Sequence, residues 1–562
     1  MGASASNLDN YGYDYVLAVT QQSINDTAFD FLKRKQPVLS VCYVYDDNGD
    51  PQRMDYEQFK KLAGGTDPFD VPASGPDHDA AVKRLDEAGL MFGFQAAIGR
   101  PAGFAVSSLP PLVTFGAAAG DPVVYRLLCR TFTLVELKAI PHKTSVYAAF
   151  SQPVGPAGEP WVFSYNIDLV QKPVADVQQF LASAASQSLP TATRDKVAAN
   201  PSAFSIQQLL FDFAEASGPV RPEITGVSGL LREKLYADFS IEYFTQMKNS
   251  GPPMLAVLPT GNDPLANLRT EFSVNPNPSH PELACLNYLC TTPDHQLPAA
   301  QSFPWAWVEP GENQAGDFDG VVVVSRKHLA EHLRGQLNDY VEKNKWLPNP
   351  VYIEVGLVTY DAQFGVSARH LDWHGHPPDD LKILTETFEA LDSGQLVLHW
   401  NYGTSREYDY ASGTSWLRGE TSFELKVTFR GDQIIVEQHA LVFCKIVMVT
   451  FWRREWNLVD LLITDTFTLS TTHDGQLTAT PTTHTEDHSS KVDGMALVPD
   501  LYDRFTGVQK AVRAYVTSAL VDIPLAILDN IIFPGGRSFL FKKVTFSDHQ
   551  DLIAHITYTD QT

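Results

Sequence analysis

The sequence predicts an α+β protein built from a duplicated module, each copy a curved antiparallel sheet wrapped around a long helix. Three observations predict it. The opening of the chain recurs: Asp14–Leu32 reads DYVLAVTQQSINDTAFDFL and Asp319–Leu337 reads DGVVVVSRKHLAEHLRGQL. Laid together without a gap, Asp14 falls on Asp319, Val16–Val19 on Val321–Val324 and Thr20 on Ser325. Ile24 then falls on Leu329, Ala28 on Leu333 and Leu32 on Leu337. Each copy is an apolar strand, a hydroxyl residue suited to cap a helix, and an apolar helical stripe. Next, long stretches alternate apolar and polar residues, the pattern of sheets with one buried face. Finally, Phe505, Val508, Val512, Val516 and Leu520 recur at helical spacing over Asp500–Val521, a stripe that such a sheet can bury.

In order along the chain, Tyr15–Val19 is the first strand and the helix after Thr20 carries Ile24, Ala28, Phe31 and Leu32 on one face. Pro37 stops it, and Val38–Tyr45 is a strand. Residues 46–80, rich in Asp, Gly and Pro, read as a loop. Strands follow at Met91–Ile98, Val123–Ile140 and Trp161–Val170, and helices at Val174–Ser188, Ile206–Ala216 and Val227–Met247. Ala284, Leu286 and Tyr288 form an A-x-L-x-Y strand that matches Ala554, Ile556 and Tyr558 at the chain's end. Phe272-Ser273 and Phe546-Ser547 precede them, as do the acids Glu282 and Asp551. Residues 291–315 suit an interdomain connection.

The second copy keeps step. Pro350 stops the turn after its helix, and Val351, Ile353, Val355 and Leu357 alternate as a strand. Phe423, Leu425, Val427 and Phe429 alternate with Glu424, Lys426 and Thr428, then turn through Arg430-Gly431-Asp432 into Ile434–Val449. A further hairpin, Phe467–Ala479, turns at Asp474-Gly475. Pro534-Gly535-Gly536 separates the last two strands.

At 562 residues the chain exceeds what one core serves, and 44% hydrophobic with 19% charged residues is ordinary globular composition. A net charge of −24 repels nucleic acid, and an anionic membrane surface would need a local basic patch. No run approaches a membrane span, and Ala440–Trp452, with Lys445 inside it, reads as a buried strand. The first residues, MGASASNLDN, lack the basic start and apolar run of a signal peptide, so a soluble protein, cytoplasmic or released without such a signal, is expected. Gly2 with Ser6 fits the loose pattern for N-myristoylation. The five scattered cysteines suit buried free thiols.

The start NYGYDYVLAVTQQSIN, its echo at residue 319, and the ending FPGGRSFLFKKVTFS with DL and ITY resemble the clostridial toxin-cluster accessory proteins of the tubular lipid-binding (TULIP) superfamily. About a third of the chain carries the match directly; the middle matches by element order. The chain is longer than expected for those proteins, with insertions around 46–80 and 140–160. The resemblance implies two tandem TULIP-like modules, over 8–300 and 301–562, each holding a lipid in a groove between helix and curved sheet. It transfers no catalytic motif and no cofactor.

The groove candidates are then Ile24, Ala28, Phe31, Leu32, Leu329, Leu333, Leu337, Val512 and Val516, although plain core gives the same pattern. Arg453 and Arg454, flanked by Trp452 and Trp456, are headgroup candidates, against a solvated turn. His370, His374 and His376, with Asp372, offer metal-ligand chemistry, but their spacing fits no closed four-ligand site and Pro377-Pro378 marks a loop. His473, His484 and His488 read as exposed, His439 as a satisfied strand histidine, and Arg430-Gly431-Asp432 as a hairpin turn. No G-x-S-x-G, P-loop or dinucleotide glycine pattern is present. The expected function is non-enzymatic binding of a lipid or apolar small molecule. The alternatives are an accessory subunit binding proteins of the same gene cluster, and an enzyme that uses the groove as its active site.

Overall fold

The computed structural model describes residues 2–34, 38–116, 123–138, 145–155, 158–173, 207–220, 229–249, 269–311, 318–355, 360–368, 381–410, 414–448, 452–493, 499–520 and 539–558. The fold is mixed α+β, with six α-helices among those residues, and every described strand pairing is antiparallel.

The two repeated openings meet at the centre of one six-stranded sheet. Its order is Arg269–Asn275, Cys285–Thr291, Tyr15–Thr20, Gly320–Val324, Leu552–Tyr558, Phe539–Phe546. Leu17 lies opposite Val322, its own counterpart in the gapless alignment, while Tyr15 faces Val324 and Val19 faces Gly320. The hydrogen bonds repeat across this local two-fold. Thr20 N donates to Asp319 O at 2.9 Å, and Ser325 N to Asp14 O at 2.8 Å. Asp14 Oδ2 accepts from Thr292 N at 2.7 Å and Thr292 Oγ1 at 2.9 Å. Asp319 Oδ2 accepts from Tyr558 N at 2.7 Å and Thr557 Oγ1 at 2.9 Å. Both caps form as the sequence indicates: Thr20 Oγ1 accepts from Ser23 N and Ser325 Oγ from His328 N, each at 3.2 Å.

The matching ends require a correction. Val19 faces Leu286 and its counterpart Val324 faces Leu552, so Leu286 corresponds to Leu552 and Cys290 to Ile556. The sequence match of Leu286 with Ile556 is displaced along the strand by an even number of residues. Such a slip keeps the same side chains on the same face, so alternation alone does not detect it.

In the first half, a five-stranded sheet runs Pro51–Asp55, Val38–Tyr45, Leu90–Ile98, Cys129–Lys138, Val146–Ser151, and a four-stranded one runs Gln207–Val220, Phe163–Pro173, Val123–Leu127, Val113–Thr114. Helix Gly229–Asn249 lies between them. Its Phe239 ring meets Phe94 at 6.0 Å and Phe132 at 4.9 Å from one sheet, and Phe163 at 4.7 Å from the other. Three expectations change here. The expected single strand from Val123 divides at buried Leu128 and serves both sheets. The expected helix at 206–216 is a strand, since Leu209, Phe211 and Asp212 pair with Phe163–Pro173. The 46–80 loop contains strand Pro51–Asp55, helix Tyr56–Leu62 and the start of helix Pro76–Glu87. These two helices bury Phe59, Val82 and Leu85 against the outer face of the five-stranded sheet. Val174–Ser188 lies outside the described residues.

In the second half, six long strands form a meander: Leu381–Ala390, Leu396–Tyr410, Ser415–Arg430, Gln433–Met448, Trp452–Thr471 and Leu477–Asp487. A two-stranded ribbon, Trp346–Val355 with Tyr360–Ala368, packs on their inner face, where buried Thr404 and Thr421 donate to Trp346 O. Helices Arg326–Lys343 and Pro499–Tyr515 lie on the inner face; the second ends at Tyr515, short of the expected Val521. The meander is tied to the central sheet through its turns: Phe541 N donates to Gly475 O at 2.8 Å and Phe546 N to Gly431 O at 2.6 Å. That contact occupies the Arg430-Gly431-Asp432 turn.

Residues 297–308 are more than a connection. Phe303 stacks on Trp305, which meets Trp307 edge to face, and with Leu8 and Tyr13 the three rings cover the outer face of the central sheet over Val16, Ala18, Val321 and Val323.

Candidate ligand-binding interior

The inner face of the meander is apolar along most of its length because alternate residues point the same way. Leu417, Phe423, Leu425, Val427 and Phe429 lie beside Ile434, Val436, Val442 and Ile446, then Leu461, Ile463, Phe467 and Leu469, all buried. The two helices lie over this face together with the Trp346–Ala368 ribbon, whose Pro348 and Phe364 pack on Gly419. Tyr340, near the end of helix Arg326–Lys343, reaches Thr517, just beyond helix Pro499–Tyr515. Helix Pro499–Tyr515 has a tryptophan at each end: Trp456 stands 5.3 Å from Phe505, and Trp346 stands 5.4 Å from Tyr515.

The sequence-predicted groove residues are all interior where described. Ile24, Ala28 and Leu32 are buried on helix Gln21–Arg34, and the Phe31 side chain lies outside the described residues. Leu329, Leu333 and Leu337 are buried on helix Arg326–Lys343, and Val512 and Val516 at the other helix. Leu333, Leu337 and Val512 have 0% of their surface exposed. A side chain lining an empty tunnel would present surface to water-sized space, so these three pack against protein. Helix Gln21–Arg34 is also fixed by polar contacts: Asn25 exchanges two 2.8 Å hydrogen bonds with the Val113 backbone, and Gln21 accepts from Phe115 N at 2.8 Å.

Arg453 and Arg454 are exposed at one end of the meander. As consecutive strand residues they face opposite sides, Arg454 sharing the inner side of Trp452 and Trp456. They therefore do not converge on one headgroup. Arg453, 65% exposed, has Glu455 at 3.8 Å, a separation that is weak in water.

His370, His374 and His376 lie outside the described residues, among which no group of three or more His, Cys, Asp or Glu could hold a metal ion. His439 pairs with Asp460 at 2.8 Å, and exposed His484 and His488 flank Glu486. All five cysteines are free and buried. Gly2 is buried, packed against the Glu309 side chain. No described helix is long and apolar enough to cross a membrane.

Sequence reading missed a set of polar groups on the inner face. Gln438 is 2% exposed and Asp465 1% exposed, on adjacent strands. Tyr340 Oη donates to Gln438 Oε1 at 2.6 Å and accepts from Thr517 N at 3.2 Å, while Gln438 Nε2 donates to Thr517 O at 2.7 Å. Asp465 Oδ1 accepts from Thr483 Oγ1 at 2.6 Å and Ser518 Oγ at 3.1 Å, and Oδ2 accepts from Ala519 N at 3.2 Å. Burial pushes the Tyr340 phenol well above its ordinary pKa. The signal was present in the alternation: Gln438 interrupts Ile434-x-Val436-x-Gln438-x-Ala440, and Asp465 interrupts Leu461-x-Ile463-x-Asp465-x-Phe467.

No protein-family model matches the chain, and no curated protein matches it. Among solved structures it is similar to P47 of Clostridium botulinum E1, with a TM-score of 0.43 at 9% identity over 98% of this chain and 99% of that one. P47 from Clostridium botulinum A2 gives 0.42 at 10% identity over 97% of each. A lipopolysaccharide binding protein gives 0.29 at 10% identity over 98% of this chain and 100% of that one.

Proposed function

We propose that the chain is a non-enzymatic binder of a lipid or other long apolar ligand, built as two TULIP-like modules over 8–300 and 301–562. The ligand lies between helix and curved sheet. One observation carries this reading: the inner face of the meander is mainly apolar over strands of up to 20 residues, and two separate helices lie over it beside the Trp346–Ala368 ribbon. An acyl chain matches that face in shape and chemistry. Its burial contributes about 0.8 kcal/mol per methylene.

The ligand-free interior is closed, because Leu333, Leu337 and Val512 present no surface. In this reading the ligand enters as helix Pro499–Tyr515 lifts from the sheet, and its methylenes replace the contacts of Val508, Val512 and Val516. Native mass spectrometry of gently purified protein, and of stripped protein given added lipid, tests the proposal. The expected result is a stoichiometric lipid adduct. Repeated absence of copurified and added lipid would leave the interior as filled core and remove the function.

A further inference from the structure

We infer that the polar end of the ligand docks on Asp465, Gln438 and Tyr340, displacing the chain's own Thr517–Ala519, and that the ligand carries hydrogen-bond donors and no negative charge. The inference rests on the reading that an apolar chain is bound between sheet and helix.

Two buried polar residues on an otherwise apolar stretch of sheet are costly unless their hydrogen bonds are made. Asp465 makes its bonds without a cation: among the described residues none lies within ion-pair distance of it. Its carboxylate is held by two hydroxyls and one backbone N–H. Beside it, Gln438 and Tyr340 together supply one donor and one acceptor to the Thr517 peptide. The occupant is a thin cover. Thr517 is exposed and Ser518 and Ala519 are half-buried, so among the described residues this segment and exposed Thr483 separate the buried carboxylate from solvent. The polar set therefore lies at a mouth, with the apolar face running from it toward Val512 and Phe505.

The chemistry selects the head. A glycerol head donates two hydroxyls to Asp465 and accepts from Gln438 Nε2, reproducing the bonds of Ser518, Ala519 and Thr517. A carboxylate or phosphate head meets Asp465 as a like charge with no cation to offset it. Lipids with neutral, hydroxyl-bearing heads are the class that fits.

The test titrates the full-length protein with 1-oleoylglycerol and with oleate, which share one acyl chain, at neutral pH. The expected result is 1-oleoylglycerol binding at least about tenfold tighter, reduced to within about threefold in Asp465→Asn. Ser518→Ala leaves the floor intact and weakens only the chain's own occupant, so it tightens 1-oleoylglycerol several-fold and serves if the Asp465 variant does not fold. Equal affinities in the native protein, or an unchanged affinity in Ser518→Ala, would overturn the inference while lipid binding stands. Binding of neither lipid would overturn the proposed function itself.

Discussion

Tyr340→Phe removes one hydroxyl and leaves the ring. The hydroxyl accepts from Thr517 N at 3.2 Å and donates to Gln438 Oε1 at 2.6 Å, so the variant strips one partner from each. Leaving a buried group unsatisfied costs about 1–3 kcal/mol. Thr517 is exposed, so water takes over its N–H, whereas Gln438 is 2% exposed and its Oε1 is less readily rescued. The expected loss is therefore about 1–2 kcal/mol, concentrated where the segment after helix Pro499–Tyr515 meets the sheet. It translates into about 5- to 30-fold faster amide exchange across residues 512–520, with helix Gly229–Asn249 unchanged. Hydrogen-exchange mass spectrometry reads this directly. Unaltered exchange at 512–520, or a uniform rise throughout the chain, would refute the claim that this hydroxyl holds the segment down.

Leu333→Ala deletes a side chain with 0% exposure and is expected to cost about 2–5 kcal/mol in urea unfolding, the range for buried leucines; a change below 1 kcal/mol, about the value of a single methylene, would indicate space beside it. A Cβ at Gly320 would run into the Ala18 carbonyl oxygen across the central strand pair, so Gly320→Val is expected to abolish soluble expression, whereas the same change at exposed Gly311 is tolerated. Asp551 accepts from Ser6 Oγ, Leu8 N and Arg326 N, yet burial outweighs these donors and pushes its carboxyl up to about 6. A raised acid favours the fold while protonated, so its contribution is complete below 3.8 and lost as pH rises through about 6. The stability of Asp551→Asn relative to the native chain is accordingly expected to improve with pH across that window, and parallel pH profiles would contradict it. His328 works in the opposite sense: burial lowers its pKa, so its contribution holds above 6.5 and falls on acidification.

The parts of the fold legible in the sequence are those with strong local signals. The repeated strand–cap–helix opening was readable because Thr20 and Ser325 stand at the start of apolar stripes, and both caps form. The hairpin turns at Gly431 and Gly475 were readable because both glycines adopt positive φ, 64° and 72°. Residues 46–80 carry the Asp, Gly and Pro content of a loop, but the same residue types also start helices. Asp55 is in fact a helix cap, accepting from Gln58 N, and Pro76 opens a helix at its first turn. Ile206–Ala216 supports both a helical and a strand period, and pairing with Phe163–Pro173 decided between them. For the candidate site, apolar periodicity located buried positions but did not distinguish a wall from a filled core. The informative residues were the polar exceptions, Gln438 and Asp465, whose partners on Thr517–Ala519 come from elements distant in sequence.

Tryptophan quenching by a 1-acylglycerol brominated on its acyl chain reports whether an acyl chain lies between helix Pro499–Tyr515 and the meander. Trp456 and Trp346 stand at the two ends of that helix, whereas Trp307 belongs to the cover on the outer face of the central sheet. Binding is expected to quench the native protein, and Trp456→Phe together with Trp346→Phe to remove most of the quenched signal. Undiminished quenching in the double variant, or bound lipid that quenches nothing, would place the ligand elsewhere.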